Sequence, residues 1–400
     1  MGVGDVASAG RAGYVCFAGQ DWWYHNRAHS DVQLMLKLAE QRPVLFVNSI
    51  AMRMPMPGRS SQPLRRILRK ARSMARKVQR PVPELPGFAV MTPVLLPFYG
   101  SRLARALNAR LIALQVRLAA RSLRMSTDVC VVTMPTAADV VEHLPHRTLV
   151  YNRSDRHSAF PEADTAFIEV LERRLMATAD RVLYVSTELM AAEHELTRDR
   201  AVFLDHGVDL EHFTPEGAAE PADLAAIPHP RIGFFGALDD FIVDFDLLTR
   251  VAKDHPDAEL VLIGDTTHDL GALTALPNVH HLGFRPHAEI PAYGRGFDVA
   301  LMPWLDNDWV RHCNPIKLKE YLALGLRVVT TDFPEVRRYA DQLTIARTAG
   351  EFSDAVGALL AAAGSEDEGA VHRRRASVEQ DSWERRAAEL RELIEGPAAG

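Results

Sequence analysis

Short, continuously apolar runs alternate with amphipathic stretches along this 400-residue chain, and that alternation limits the folds open to it. Residues 14–19, 43–48, 88–96, 128–134, 148–152 and 181–186 are short, β-branched and apolar throughout. Runs of this kind are the pattern of parallel strands covered on both faces. Helical stretches at 31–41, 101–124 and 164–178 separate them. The alternation predicts βαβ units wound into a doubly covered sheet.

The rhythm breaks between Gly207 and Pro230, where Gly217-Ala-Ala-Glu-Pro-Ala-Asp and then Pro228-His-Pro read as a linker. A second series of strands follows at 231–238, 259–264, 279–284, 299–304, 328–331 and 343–346. The expected organisation is a Rossmann-like domain over 1–210, a linker over 211–230 and a second Rossmann-like domain over 231–378. A helix over 379–400 is expected to cross back to the first domain. Two domains of about 200 residues also suit the length. Two such domains would leave a cleft at their facing strand ends, where ligands of doubly wound sheets bind.

With 47% hydrophobic and 24% charged residues, the composition excludes disordered and collagen-like chains. The net charge of −6 argues against nucleic acid as the main partner. Cys16, Cys130 and Cys313 lie too far apart in sequence for a CxxC metal or redox pair, and so sparse a count suits a reducing cytoplasm. No signal peptide and no membrane-spanning run is expected. There is no HExxH, GxSxG or P-loop motif.

Between Arg53 and Arg80 there are ten Lys or Arg residues and no acid. Leu64, Ile67, Leu68, Ala71, Met74, Ala75 and Val78 recur there at helical spacing. A basic amphipathic helix over 64–79 either lies on an anionic membrane surface or packs its stripe on the first sheet with a solvated basic face.

The segment Asn314-Pro-Ile-Lys-Leu-Lys-Glu320-Tyr-Leu-Ala-Leu-Gly325 is the one that carries chemistry. Asn314 is read as the N-cap, Pro315 as the first helical residue and Gly325 as the stop. The helix start is an anion site, reinforced by Lys317. Glu320 falls one turn on, on the same face, where a phosphate would be repelled but ribose hydroxyls would be held. The alternative is an ordinary Lys317–Glu320 pair on a surface helix.

The run from Asn314 to Asp332 resembles the donor-binding segment of group 1 bacterial glycosyltransferases, retaining enzymes of GT-B fold. Arg231-Ile-Gly-Phe-Phe-Gly-Ala-Leu, Glu259-Leu-Val-Leu-Ile-Gly-Asp, Asn278-Val-His-His-Leu-Gly-Phe, Phe297-Asp-Val-Ala-Leu-Met-Pro and His206-Gly-Val-Asp-Leu-Glu-His-Phe are similar to further blocks of that family. Leu149-Val-Tyr-Asn-Arg-Ser-Asp155 resembles a polysaccharide-type subgroup. The resemblance implies the α/β GT-B fold class, two Rossmann-like doubly wound domains facing a central cleft. It implies that Glu320 binds the donor ribose, that Asn314, Pro315, Ile316 and Lys317 face the donor phosphates, that Gly236 and Ala237 form a glycine turn near the diphosphate, and that Gly283, Phe284 and Arg285 meet the nucleobase. It also implies that no catalytic metal or other cofactor is needed.

The sequence departs from the family twice. His312 stands where a Glu often contacts the donor sugar, and no Lys or Arg follows Gly236 before Arg250. Arg311, Lys317 or Lys319 is expected to supply the missing charge. The loop after the first strand offers Gln20, Trp22, Trp23, Tyr24, His25, Arg27 and His29 for an acceptor, unless its aromatics simply pack the domain edge. Asp155, with Arg153 beside it, is either a base, an acceptor clamp or a cap. Trp304, Asp306, Asn307, Asp308 and Trp309 are either sugar-pocket residues or plain loop. The catalytic candidates are thus Asp155, His312 and Lys317.

The expected activity is sugar transfer from a nucleoside diphosphate sugar to a polysaccharide, lipid-linked or natural-product acceptor, in the cytoplasm or at the inner face of the membrane. A nucleotide-sugar epimerase, a phosphorylase and an inactive partner subunit remain open alternatives.

Overall fold

The computed structural model describes residues 11–24, 28–50, 78–96, 102–161, 163–217, 219–362 and 368–396. The chain divides into two compact units, one of Met1–Val185, Leu189–Leu204 and Arg386–Gly400, the other of Ser186–Glu188 and Asp205–Arg385.

The first unit holds β1 (Tyr14–Phe17), β2 (Val44–Val47), β3 (Val78–Gln79), β4 (Phe88–Met91), β5 (Val129–Val132), β6 (Thr148–Arg153), β7 (Arg181–Tyr184) and β8 (Ala201–Phe203). They form one sheet in the order β3-β4-β2-β1-β5-β6-β7-β8. β3 runs antiparallel to β4 at the edge, and the other pairings are parallel. β1, β2, β4 and β5 are buried along their whole length, as continuous apolar runs require. The short strands β3 and β8 escape a sequence reading because two or three partly exposed residues carry no apolar run.

Helices α1 (Ser30–Ala39), α2 (Arg102–Ser122) and α3 (Thr165–Thr178) flank this sheet. Asp164 caps α3 by accepting from the Phe167 amide at 3.3 Å. Ile168, Leu171 and Leu175, at helical spacing, are its buried face. The basic helix expected over 64–79 lies outside the described residues up to 77. Val78 and Gln79, its expected end, form strand β3 instead.

In the second unit β9 (Arg231–Phe235), β10 (Glu259–Ile263), β11 (Val279–Gly283), β12 (Val299–Met302), β13 (Val328–Thr331) and β14 (Thr344–Ala346) form an all-parallel sheet. Its order is β11-β10-β9-β12-β13-β14. Alternate residues feed two cores, as a period of two demands. Val261, Ile263, Ala300 and Met302 meet Leu318, Tyr321 and Leu322 of α5 (Ile316–Ala323) on one face. Leu260, Leu262, Val299 and Leu301 meet α4 (Phe245–Asp254) and α6 (Ala349–Ala361) on the other. Each fully buried Leu or Ile contributes about 1.5–3 kcal/mol.

The stretch 211–230, read from sequence as a linker, packs within this unit, with Phe213, Leu224 and Ile227 buried. The last described helix, α7 (Trp383–Glu395), carries the first unit's Glu395, which accepts from the Tyr14 hydroxyl at 2.6 Å and pairs with Arg42 at 2.8 Å. No described helix is long and apolar enough to cross a membrane.

Candidate donor site in the second unit

β9 is flanked by β10 on one side and β12 on the other, so chain connections leave the two sides in opposite directions. A crevice therefore opens at the carboxyl ends of β9 and β12. Three neighbouring strands end there on glycines in the left-handed region: Gly236 after β9 at φ +132°, Gly264 after β10 at +151°, and Gly283 at the end of β11 at +71°. The Gly236 amide donates to the Ile263 carbonyl at 2.9 Å, and the Gly264 amide to the Gly283 carbonyl at 3.0 Å. A Cβ on Gly264 would run into the Gly236 carbonyl oxygen, so the two turns can nest only as glycines.

Helix α5 enters this crevice after β12. Pro315, not Asn314, occupies its cap position (φ −79°, ψ 119°) and offers no side-chain cap. The Asn314 side-chain NH2 donates to the Asp205 carboxylate at 2.8 Å, a charge-assisted bond that ties the residue before the cap to a distant partner. The cap residue of α5 thus supplies no side chain to its first-turn amides. At the other end Gly325, φ +73°, closes the helix as the sequence predicts, with the Leu326 amide donating to the Tyr321 carbonyl at 3.0 Å. The Tyr321 hydroxyl accepts from the Phe235 amide at 3.1 Å and so fixes the helix to the end of β9.

The three basic candidates separate clearly. Arg311 is exposed and forks onto Asp306 at 2.8 and 3.0 Å. Lys319 is buried, its ammonium 3.0 Å from Asp205 and 2.9 Å from Asp381 while donating to the His206 carbonyl at 2.7 Å. Lys319, closed into that buried cluster, is not placed to give its charge to a ligand, which corrects the expectation for it, whereas Arg311 stands at the surface. Lys317 remains. Its Nζ lies over the Phe234 ring at 4.3 Å and 5.5 Å from the Trp304 ring centroid. It sits directly above Gly236, where a Cβ would collide with it. Burial pushes its pKa down to about 8, opposed by Glu320, Asp239 and Cys313. A cation held by aromatic faces at a glycine turn keeps its hydrogen-bonding capacity for an incoming anion.

Glu320 is buried, with His287 Nε2 3.2 Å from one carboxylate oxygen. His287 was not singled out in the sequence; its place two residues after Arg285, in the expected base loop, is the only signal. Arg285 is tied to the Tyr293 hydroxyl at 2.7 Å and to Asp223 at 2.6 Å, whereas the neighbouring Phe284 ring is 52% exposed. Ala237 is exposed next to Gly236, and Ile316 is half-buried beside Lys317. His312 Nδ1 donates to the Asp308 carbonyl at 2.7 Å. Asn307 caps the turn of helix Asp308–Arg311, accepting from Val310 at 2.9 Å. Trp304 is buried and stacks on Phe333 at 5.2 Å, so it is core as well as a neighbour of Lys317.

In the first unit the expected acceptor loop is partly structural. Trp22 is buried against Phe46 and Phe88, with centroids 6.0 and 4.9 Å away, because its indole fills the end of the sheet. Trp23 and Gln20 are half-buried, His29 is exposed, and His25 and Arg27 lie outside the described residues. Arg153 is not a ligand group: it is fully buried and paired with Glu172 and Glu193. Asp155 follows β6, and burial raises its pKa to about 7, with Arg153 and Ser154 opposing and Asp31 adding to it. Asp31, another residue missed in the sequence, is buried and accepts from the Gly19 amide at 2.8 Å at the carboxyl end of β1. Among the described residues no group of three or more His, Cys, Asp or Glu could hold a metal ion.

Residues 229–362 match the family model of group 1 glycosyl transferases. TuaH of Bacillus subtilis, named as a teichuronic acid biosynthesis glycosyltransferase, is 28% identical over 193 residues, 46% of this chain. The match spans 48% of that relative's length. Sucrose-phosphate synthase from Thermosynechococcus elongatus is a structural neighbour at a TM-score of 0.68 and 13% identity, covering 96% of this chain and 98% of the other. HepE of Anabaena, solved in complex with UDP, superposes at 0.65 and 14% identity over 97% of this chain and 100% of its own. The likeness to these structures is one of fold, and that fold is GT-B, the class expected from the sequence.

Proposed function

We propose, on the premise that residues 229–362 are a group 1 glycosyltransferase domain, that this chain moves a sugar from a nucleoside diphosphate sugar to a carbohydrate, lipid-linked or small-molecule acceptor. The observation that carries the reading is Lys317, an ammonium held over Phe234 above the Gly236 turn. In the reaction the bond between the anomeric carbon and the diphosphate oxygen breaks, and a bond to an acceptor hydroxyl forms. Negative charge grows on the departing diphosphate. Lys317 and the N-terminal end of α5 stabilise that charge without moving. Glu320 takes the ribose hydroxyls, and the exposed Phe284 ring supports the base.

UDP in the HepE structure supports a nucleoside diphosphate as the ligand, and the naming of TuaH supports an acceptor in polysaccharide assembly. The family match favours transfer over an epimerase, a phosphorylase or an inactive subunit. Asp155 is the base or clamp for the acceptor hydroxyl, and retention of the anomeric configuration rests on the family resemblance. The basic stretch 64–79 supports attachment to an anionic membrane surface. Changing Arg65, Arg66, Arg69 and Lys70 together to Glu removes vesicle binding if that stretch is responsible.

A thermal-shift screen of nucleoside diphosphates and their sugars tests the donor reading, because a ligand that binds only the native state stabilises it. A shift that Lys317→Ala weakens at least tenfold in affinity, about 1.4 kcal/mol, is the expected result. A chain that responds to no such nucleotide overturns the reading.

A further inference from the structure

Helix α2 (Arg102–Ser122) is apolar on two sides. Ala109, Ile112, Ala113, Val116, Ala119 and Ala120 are its buried side, none more than 5% exposed. Leu103, Leu107, Leu114 and Leu118 are 85, 54, 50 and 53% exposed. At 100° per residue these leucines, with the exposed Arg110, Arg117 and Arg121, fall in one arc of about 100°, opposite the buried side.

The arc is extended by the segment after β4. Gln115 and Asn108 each bracket that segment's backbone, making two hydrogen bonds to Val94 (2.9 and 2.7 Å) and two to Leu96 (2.7 and 3.0 Å). Val94 and Leu96 are themselves 47 and 38% exposed. Six of the ten large apolar side chains exposed among the described residues therefore gather on one patch. Scattered surface leucines need no explanation, but a concentrated apolar patch does.

Charge says what covers it. Helix α2 contains five arginines and no acid. Between Glu40 and Asp128 the sequence holds 17 Lys or Arg and one acid, Glu84, although the chain as a whole carries −6. A second copy of the same face would set arginine against arginine with no carboxylate to meet them. A surface that is apolar within and negative at its boundary satisfies both features.

We propose that the outward face of α2 docks on an anionic lipid bilayer. The leucines enter the boundary between headgroups and acyl chains, and the arginines reach back to the lipid phosphates along their aliphatic stems. The residues of this face are distinct in sequence from the basic stretch 64–79, and the proposal does not depend on the donor reading.

The test places a reporter on the face itself. Cys16, Cys130 and Cys313 are buried, so Leu114→Cys in the full chain can be labelled selectively with a polarity-sensitive dye. Vesicles of phosphatidylcholine with phosphatidylglycerol should shift the dye emission to the blue. Pure phosphatidylcholine should do so weakly, and high salt should reduce the response. Leu103→Gln, Leu107→Gln and Leu118→Gln together should lower co-sedimentation with anionic vesicles by roughly tenfold or more, and Arg110→Gln, Arg117→Gln and Arg121→Gln together should weaken the preference for anionic lipid. All these positions are exposed, so both variants should keep the wild-type melting temperature and the wild-type response to nucleotide. Vesicle binding with no change in the dye would place the contact elsewhere and overturn the proposal. A blue shift on raising protein concentration without vesicles would assign the face to a second copy and overturn it equally.

Discussion

Lys317 is a buried cation beside aromatic rings, and its titration follows from that burial, which outweighs Glu320 and Asp239. Burial favours its neutral form, so the free protein loses this charge as pH rises through about 8. Diphosphate affinity measured by calorimetry is expected to fall over the same range, and Lys317→Met should flatten the dependence. Lys319, two residues on, behaves in the opposite way to a ligand group. Lys319→Met would leave buried Asp205 with Arg338 as its cation and take the Lys319 ammonium from Asp381, and should cost about 3–5 kcal/mol in urea denaturation. Asp155 has a raised pKa, so its native form holds a proton that the unfolded chain gives up near 3.8. Stability from this group is complete below that value and declines as pH rises toward about 7. Asp155→Asn should therefore raise the melting temperature above pH 7 and have little effect in acid.

At the scale of elements, the donor crevice is built by turns that leave no room for a Cβ. Gly236 and Gly264 nest against one another at φ values that L side chains rarely adopt. Gly264→Ala should lower stability by at least about 1–3 kcal/mol and weaken nucleotide binding together, since it displaces the Gly236 turn beneath Lys317. A urea titration and a binding isotherm on the same variant check this. Helix α5 is positioned by side chains of its own: Tyr321 holds the end of β9, and Lys319 holds Asp205 and Asp381. The existence of α5, its start near residue 315 and its stop at Gly325 were legible in the sequence, because Pro and Gly act locally on the backbone. The cap was not, because Asn314 has a distant partner in Asp205 that local propensity does not register.

Over the whole molecule, charge is unevenly spread: a strongly basic stretch lies within a chain of net −6. That stretch belongs to the first unit, and the donor crevice to the second. Donor binding should consequently be insensitive to substitutions on the outward face of α2. At a hundredfold excess over its dissociation constant, a donor should stabilise its unit by about 2.7 kcal/mol. The increment should shrink in Lys317→Ala and stay unchanged in the leucine variant of α2, as thermal shift would show.

The strand and helix series, the doubly wound class and the segment around Lys317 and Glu320 follow from the sequence alone, because periodicity and glycine or proline punctuation act over a few residues. Tertiary structure decided what those residues do. It buried Trp22 between Phe46 and Phe88, paired Arg153 with two glutamates, and left Lys317 over Gly236 while Lys319 closed a buried ion cluster. It also decided which apolar side of α2 faces outward. A helix apolar on two sides reads in sequence as fully buried, and only the packing of Ala109, Ile112 and Val116 on the sheet leaves Leu103, Leu107, Leu114 and Leu118 uncovered. Which side chain meets which depends on strands that are distant in sequence and adjacent in space, and no local pattern encodes that adjacency.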